Sequence, residues 1–424
     1  MSIYSAPDES DLRGPQTWPV SRDSVFIAAV FSAFIVVRVI GLASLGWVHY
    51  PPVSFFPDYV DGYIHYQPAG VAYLRGVPID DLNPEHPPLA KYIIGLFALS
   101  LGKGVFASLL FNFLSAFLVF LLARKLTGST AWATIAVWLL GFDLIYVGIA
   151  ISPMLESFML FFALLGIYLI SVARNAWSYT LAGLSLGLGI ASKWPAFFFL
   201  LPALAFLVIE GKPRAALILV STCILGYVMP YFPYVIEDGF GAFLRLQLWM
   251  LTFQYGFHGR NSIGGFVSAL LAPFIFHAST YGLVAFLGIG VHSMNNVFHP
   301  EGFIFLGGEY VSLAADTTPF VMLLFFPALY VEVKRYRIDH DRLRLLLLLV
   351  FVGCLGWEAL GAQFIFPWHL AVIVPVLAIF ASDIFKRLGP HKGLGVYVYL
   401  GLVASWPIWA ALLSAFSWIN FLTH

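Results

Sequence analysis

Residues 104–123 read GVFASLLFNFLSAFLVFLLA, and Arg124 and Lys125 follow at once. A run of roughly 20 apolar residues is what a helix needs to cross the hydrocarbon core of a bilayer. A basic pair at its end marks the side that stays inside. Similar runs lie at 24–47, 131–150, 154–173, 178–192, 195–209, 215–233, 318–333, 343–362, 367–385 and 394–419, which predicts eleven spans. The short pair 178–192 and 195–209, joined at SKWP, reads as a tight hairpin that stops near one surface. The expected fold is an all-α polytopic membrane protein of about 11 transmembrane helices, its outer-face loops carrying short interfacial helices.

Composition agrees. The chain has 424 residues, 60% hydrophobic and 10% charged, where a soluble domain has about 25% charged. Lys plus Arg and Asp plus Glu are 22 each, so there is no basic excess to bind nucleic acid. Cys223 and Cys354 both lie in apolar runs and read as packing residues. Residues 1–23 are polar and mixed in charge, lack a cleavable signal pattern, and read as a cytoplasmic tail before one domain over 24–424.

With the N-terminus inside, fifteen Lys and Arg fall on inner segments and six on outer ones, with Arg38 left inside the first span. Arg38 either snorkels or pairs with Asp143. The run 264–292 should cross zero times or twice, since one crossing would put the KRYR cluster at 334–337 outside; Pro273 and His277 favour interfacial or re-entrant helices there. Two long outer segments result, 48–103 and 234–317, expected to fold together as the active-site layer. The dense groups of ionisable residues lie in them. No internal repeat and no ladder of acids or histidines runs through the spans, as a transporter would need.

The first outer segment holds NPEHPPLAKYIIG at 83–95. Two prolines suit only the first turn of a helix, so a helix should begin near Pro88 and lie at the interface, with His86 at its start and Lys91 one turn in. Bland readings stand beside the functional ones. Asp61 could cap the helix that follows it, Lys193 could be a snorkelling anchor, Glu156 a solvated acid, and His258 and Arg260 plain loop residues. His369 reads as a core histidine.

NPEHPPLAKYIIG resembles the HPPL-K signature of the protein O-mannosyltransferases and related membrane glycosyltransferases that use polyprenyl-phosphate sugars. DYVDGYIHYQPAGVAYLRG at 58–76 is similar to the family's first outer loop, where an acidic pair precedes an aromatic-rich helix. FDLIYVGIAISPMLESFMLFF at 142–162, GLSLGLGIASKWPAFFFLLP at 183–202, LRLQLWMLTFQYGFHGRNS at 244–262 and FIFLGGEY at 303–310 follow in the family's order. The chain departs from the pattern in several places. Gly62 stands where the second acid would be, Ile151 where an arginine is expected, and Glu156 where an aspartate is. GGEY replaces a Gly-Asn-Pro turn, and the large soluble insert of eukaryotic members is missing.

The resemblance implies a GT-C fold and transfer of a mannose-like sugar, with inversion, from a polyprenyl- or dolichyl-phosphate donor to an acceptor hydroxyl on the extracytoplasmic face, as in protein O-glycosylation. A lipid or glycan acceptor, and a non-catalytic lipid or sugar transporter, are the alternatives. It implies Asp61 as the base, with Asp58 in reserve. Lys193, His86, Arg260 and Lys91 would hold the donor phosphate, and Glu85, Glu156, Gln247, His258, Trp194 and Glu309 the substrates. Partners would be the donor lipid, the acceptor and membrane lipids. No cofactor is certain; Glu85 with His86, or His299 with Glu301, could hold a divalent metal. The missing insert points to the plasma membrane of a prokaryote.

Overall fold

Apolar runs longer than a soluble core can bury leave the backbone no partner but itself, so they become helices. The computed structural model describes residues 22–46, 61–258, 289–293, 303–306, 309–315, 324–361, 371–388 and the positions 396, 398–403 and 405. The expected spans are helical over nearly all of these. They comprise α1 (Arg22–Gly46), α4 (Val105–Thr127), α5 (Thr130–Gly141), α6 (Leu144–Ile151), α7 (Leu155–Val172), α8 (Ala176–Ser192), α9 (Phe197–Ile209), α10 (Pro213–Val228), α12 (Phe325–Asp339), α13 (Arg342–Gly361) and α14 (Val374–Leu388). Between α1 and α4 lie a π-helical turn at Gly62–Tyr66, α2 (Gln67–Leu74) and α3 (Leu89–Leu101); after α10 comes α11 (Phe232–His258). Among the described residues three helices are long and apolar enough to cross a membrane, Val105–Thr127, Leu155–Val172 and the run Pro213–Phe253, or four if α5 and α6 count as one broken span.

Two expectations are corrected. The run 131–150 is not one straight helix: α5 and α6 meet at 70°. Asp143 breaks the run and restarts it as an N-cap, its Oδ1 accepting from the Tyr146 N–H at 3.0 Å. The pair 178–192 and 195–209 is not a tight hairpin either. After the turn at Trp194–Ala196, α9 leaves α8 and packs along α13, while α8 lies between α7 and α10. The α8–α10 crossing is close because Gly183 and Gly187 face it; a Cβ on Gly187 would meet the Cys223 carbonyl and, at 2.8 Å, the Tyr227 nitrogen. Small residues four apart let two helix backbones approach in a membrane.

Arg38 does not snorkel. It is 2% exposed, its guanidinium bonding Asn112 Oδ1 at 2.9 Å and the carbonyls of Phe34 and Gly141 at 3.0 and 3.1 Å. Asp143 acts on it electrostatically, so Arg38 ties α1 to α4 and to the α5–α6 bend.

The loops expected on the inner side are joined to one another. Arg342 pairs with Glu210 at 2.5 Å, Arg344 with Glu332 and with Asp383 (3.2 Å), Arg387 with Asp383 at 2.7 Å, and Lys386 bonds the Thr127 carbonyl. At the other end a second, smaller apolar cluster joins Ala69, Tyr73 and Ile79 of the first outer segment to Tyr231, Tyr234, Phe243, Leu246 and Met250. Among the described residues the helical architecture has one small exception, an antiparallel sheet of β1 (Ile289–Ser293), β2 (Phe303–Leu306) and β3 (Glu309–Ala315) in the order β1-β3-β2, with Ile289 opposite Ala315 and Leu306 opposite Glu309. The 264–288 part of the run expected to be interfacial or re-entrant lies outside the described residues.

Candidate active site

Two helix ends face each other at this second end of the bundle. Pro153 cannot continue α6, and α7 restarts at Leu155 with Glu156 in its first turn. Opposite, α8 stops at Ser192 because Pro195 follows, and Lys193 takes the C-cap in extended backbone, its N–H on the Gly189 carbonyl at 3.0 Å. An acid at a helix start and a base at a helix end both oppose the local dipole favourably. Lys193 Nζ is ion-paired to Glu156 Oε1, with side-chain exposures of 6% and 1%. Glu156 is therefore not a solvated acid, nor Lys193 a snorkelling anchor. Glu156 Oε2 is buried without a hydrogen-bond partner.

Asp61 comes to this pair from the first outer segment. It precedes the π-helical turn but makes no side-chain cap bond, which removes the capping reading. Burial raises its pKa above the ordinary carboxylate value; Glu156 and Glu85 act in the same direction, and His65 and Lys193 oppose them. The following residue explains the missing second acid. A Cβ on Gly62 would sit 2.7 Å from Ser152 Oγ and 2.9 Å from Pro153. Only a residue without a side chain lets this turn dock on the α6–α7 junction, where the Tyr63 hydroxyl also donates to the Ile151 carbonyl at 3.2 Å. Tyr66 is buried beside the cluster, its ring edge-on to His86 at 5.7 Å. Desolvation, with Glu156, Asp61 and Glu85 adding to it, holds its phenol protonated well above the usual range.

The helix after the two prolines begins as expected: α3 starts at Leu89 with Pro88 at its N-cap and ends at Gly102 in left-handed backbone. The loop before it is held from below. Lys91 is 0% exposed; its ammonium bonds the carbonyls of Asn83 and, at 2.8 Å, His86, and lies 5.7 Å from the Tyr73 ring centre. Tyr73 donates to the carbonyls of Leu82 and Ile79, the latter at 3.3 Å. Burial lowers the Lys91 pKa to about 7, opposed by Glu85. Two of its three donors serve the chain, so Lys91 positions Glu85 and His86. Glu85 accepts from the Asn83 amide.

Gln247 accepts from the Tyr227 hydroxyl, and Trp194, Tyr227 and Tyr92 each pack against the outer apolar cluster. The structure thus brings together Asp61, Glu85, His86, Glu156, Lys193 and, one layer out, Trp194 and Gln247. His258 ends α11 and Glu309 begins β3. Asp58, Arg260, His299, Glu301 and His369 lie outside the described residues. Among the described residues no three His, Cys, Asp or Glu converge to hold a metal ion. Sequence reasoning passed over Tyr66 and Tyr73. Their spacing of seven puts them on one face of the helix after Asp61, which was the available signal.

Comparison with known proteins adds to this picture. The family model of dolichyl-phosphate-mannose-protein mannosyltransferase matches residues 85–235. No curated protein sequence matches the chain. The structure is similar to ArnT from Cupriavidus metallidurans bound to undecaprenyl phosphate, with a TM-score of 0.57 and 14% identity over 90% of this chain and 64% of that one. ArnT in the apo state gives 0.55 and 12% over 91% and 65%. The apo oligosaccharyltransferase of Archaeoglobus fulgidus gives 0.51 and 13% over 94% and 55%. The chain therefore spans under two thirds of the length of each. The helical bundle has the fold of ArnT and of the archaeal oligosaccharyltransferase, and residues 85–235 within it carry the match to the mannosyltransferase family model.

Proposed function

We propose that this chain is a membrane glycosyltransferase that takes its sugar from a polyprenyl-phosphate donor. One observation carries the reading: Gly62 seats the turn that bears Asp61 on Ser152 and Pro153, next to the start of the helix whose Glu156 is ion-paired to the buried Lys193, and burial raises the Asp61 pKa there. The donor enters from the bilayer with its phosphate toward Lys193 and His86. The acceptor oxygen attacks the anomeric carbon as the bond to phosphate oxygen breaks, inverting the centre. The acceptor proton passes to Asp61. The departing lipid phosphate needs no proton, only cations and N–H groups where its charge grows. Lys193 has three N–H donors and gives one to Glu156, so the others remain for phosphate.

The finer reading is a mannose-like sugar, an acceptor hydroxyl on a protein, lipid or glycan, and a site on the extracytoplasmic side of a prokaryotic plasma membrane. The match to the mannosyltransferase family over 85–235 supports the sugar, and the basic loops gathered at the opposite end support the sidedness. The test is the full chain in lipid nanodiscs with radiolabelled polyprenyl-phosphate mannose and peptide, lipid or glycan acceptors. Asp61→Asn should bind donor at least as tightly as the native chain and lose transfer by two orders of magnitude or more, about the upper range for a general base. Undiminished transfer by Asp61→Asn would overturn the assignment.

A further inference from the structure

A cavity among the described residues is lined by none of the side chains of the Asp61–Lys193 cluster. It has a volume of about 500 Å³ and is lined by Asp80, Pro84, Tyr234, Asp238, Arg245 and Trp249 together with Ala242 and Leu246. Its shape follows from one residue. Gly239 has φ 83° and ψ 161°, which breaks α11 into two arms; an L side chain there would be strained. Tyr234 and Asp238, one helical turn apart, project from the first arm. Ala242, Arg245, Leu246 and Trp249 share one face of the second. The loop carrying Asp80 and Pro84 closes the corner, fixed by the Tyr234 hydroxyl on Asp80 Oδ2 at 2.7 Å.

We infer that this groove seats a neutral sugar ring of the acceptor, so that the enzyme extends a carbohydrate. The inference rests on the glycosyltransferase reading and names its acceptor class. Three features favour a sugar. Trp249 lines the groove, is 44% exposed, and has Phe253 stacked on it at 5.3 Å and 18°, so the indole is held in a fixed plane. An apolar sugar face packs on such a surface. Carboxylates at Asp80 and Asp238 only accept hydrogen bonds and Arg245 only donates; neighbouring sugar hydroxyls, which do both, satisfy all three at once. The groove is also acidic by one charge, two carboxylates against one guanidinium, which disfavours an anionic lipid headgroup. Its size lies within the roughly 300–1,000 Å³ of ligand sites. It is placed for the task, because the 79–86 loop is the shared wall: Asp80 and Pro84 face the groove, and Glu85 and His86 follow on the side of Asp61.

The experiment uses the full chain in nanodiscs, the neutral disaccharide methyl mannobioside, and a lysine-containing serine peptide as the competing probe. Saturation-transfer NMR should show the disaccharide protons receiving magnetisation. Trp249→Ala should weaken binding about tenfold or more. Asp238→Asn, which keeps the side-chain shape, should weaken it severalfold. Polyprenyl phosphate binding, measured on the same samples, should stay within twofold in both variants. No transfer to the disaccharide while polyprenyl phosphate still binds would overturn the inference alone. Binding of the peptide instead, lost in Asp238→Asn, would also overturn it. Failure of the native chain to bind polyprenyl phosphate at all would remove the underlying transferase reading with it.

Discussion

Removing either partner of the Lys193–Glu156 pair separates stability from function. The two side chains are 6% and 1% exposed, and Glu156 Oε2 has no hydrogen bond to soften the loss. Lys193→Met leaves a buried carboxylate without its cation, which costs about 3–5 kcal/mol. Glu156→Leu strands the ammonium at a similar cost. The double variant replaces the pair with apolar groups and should return to within about 1 kcal/mol of the native chain, since buried pairs seldom add net stability. The coupling is then at least about 5 kcal/mol, more than a thousandfold in the unfolding constant. Chemical unfolding in mixed micelles measures it. Polyprenyl phosphate binding on the same four proteins gives the second readout. Both chains lacking Lys193 should bind about ten- to hundredfold more weakly, the worth of one charge-assisted hydrogen bond to phosphate. A stable double variant with native phosphate affinity would show that Lys193 only balances Glu156, and the phosphate role would be lost. Additive single costs would refute the buried pair itself.

Gly62→Ala should cost about 1–3 kcal/mol by overpacking against Ser152 and Pro153. It should also lower transfer more than donor binding, because the turn that bears Asp61 must lift from the α6–α7 junction; paired unfolding and turnover measurements check both. Lys91→Met should cost about 1–3 kcal/mol for each of the Asn83 and His86 carbonyls it leaves without a donor. The native Lys91 pKa falls from 10.5 to about 7, so its contribution to stability is present above 10.5 and lost as pH falls through about 7. Lys91→Met should remove that slope, as unfolding midpoints across this range will show.

The membrane helices were legible because their signal is long. A run such as 104–123 needs no partner to declare itself. The α5–α6 bend was missed because one Asp143 in twenty apolar positions hardly changes the run's hydropathy, yet its cap bond restarts the helix. The α8–α9 arrangement was missed because a hairpin depends on which neighbour offers the better surface. Gly183 and Gly187 commit α8 to α10, and α9 is left for α13. At the site, Asp61 and Lys193 could be named from motifs more than a hundred residues apart, but their meeting could not. The same holds for Lys91: HPPLAK marks it as important, while its burial beneath its own loop is a tertiary fact. Gly62 looked like a missing acid in the sequence. In the fold it is a steric requirement of the turn that carries the remaining one.

Charge around Asp61 leads to a final prediction. Glu156 and Glu85 raise its pKa and Lys193 and His65 lower it, on top of a larger effect of burial. A donor phosphate adds one more negative charge to this neighbourhood and should push the Asp61 pKa further up. By linkage, donor binding then takes up a proton wherever Asp61 is ionised in the free chain, and affinity rises as pH falls through the raised pKa. Transfer makes the opposite demand, since the base must be ionised to accept the acceptor proton. Binding and turnover should therefore run in opposite directions with pH on the acid side, and the acid limb of turnover should lie above the 3.8 of an ordinary aspartate. The same shift sets the sign for stability. A carboxyl whose folded pKa is raised stabilises the fold below its unfolded value and loses that contribution as pH rises through the folded one. Asp61→Asn should flatten the pH dependence of donor binding and remove this loss of stability together. Calorimetry of polyprenyl phosphate binding in two buffers of different ionisation enthalpy measures the proton directly. If no proton is taken up by the native chain, or if Asp61→Asn takes up the same number, Asp61 does not share an electrostatic site with the phosphate, and its role as the base falls.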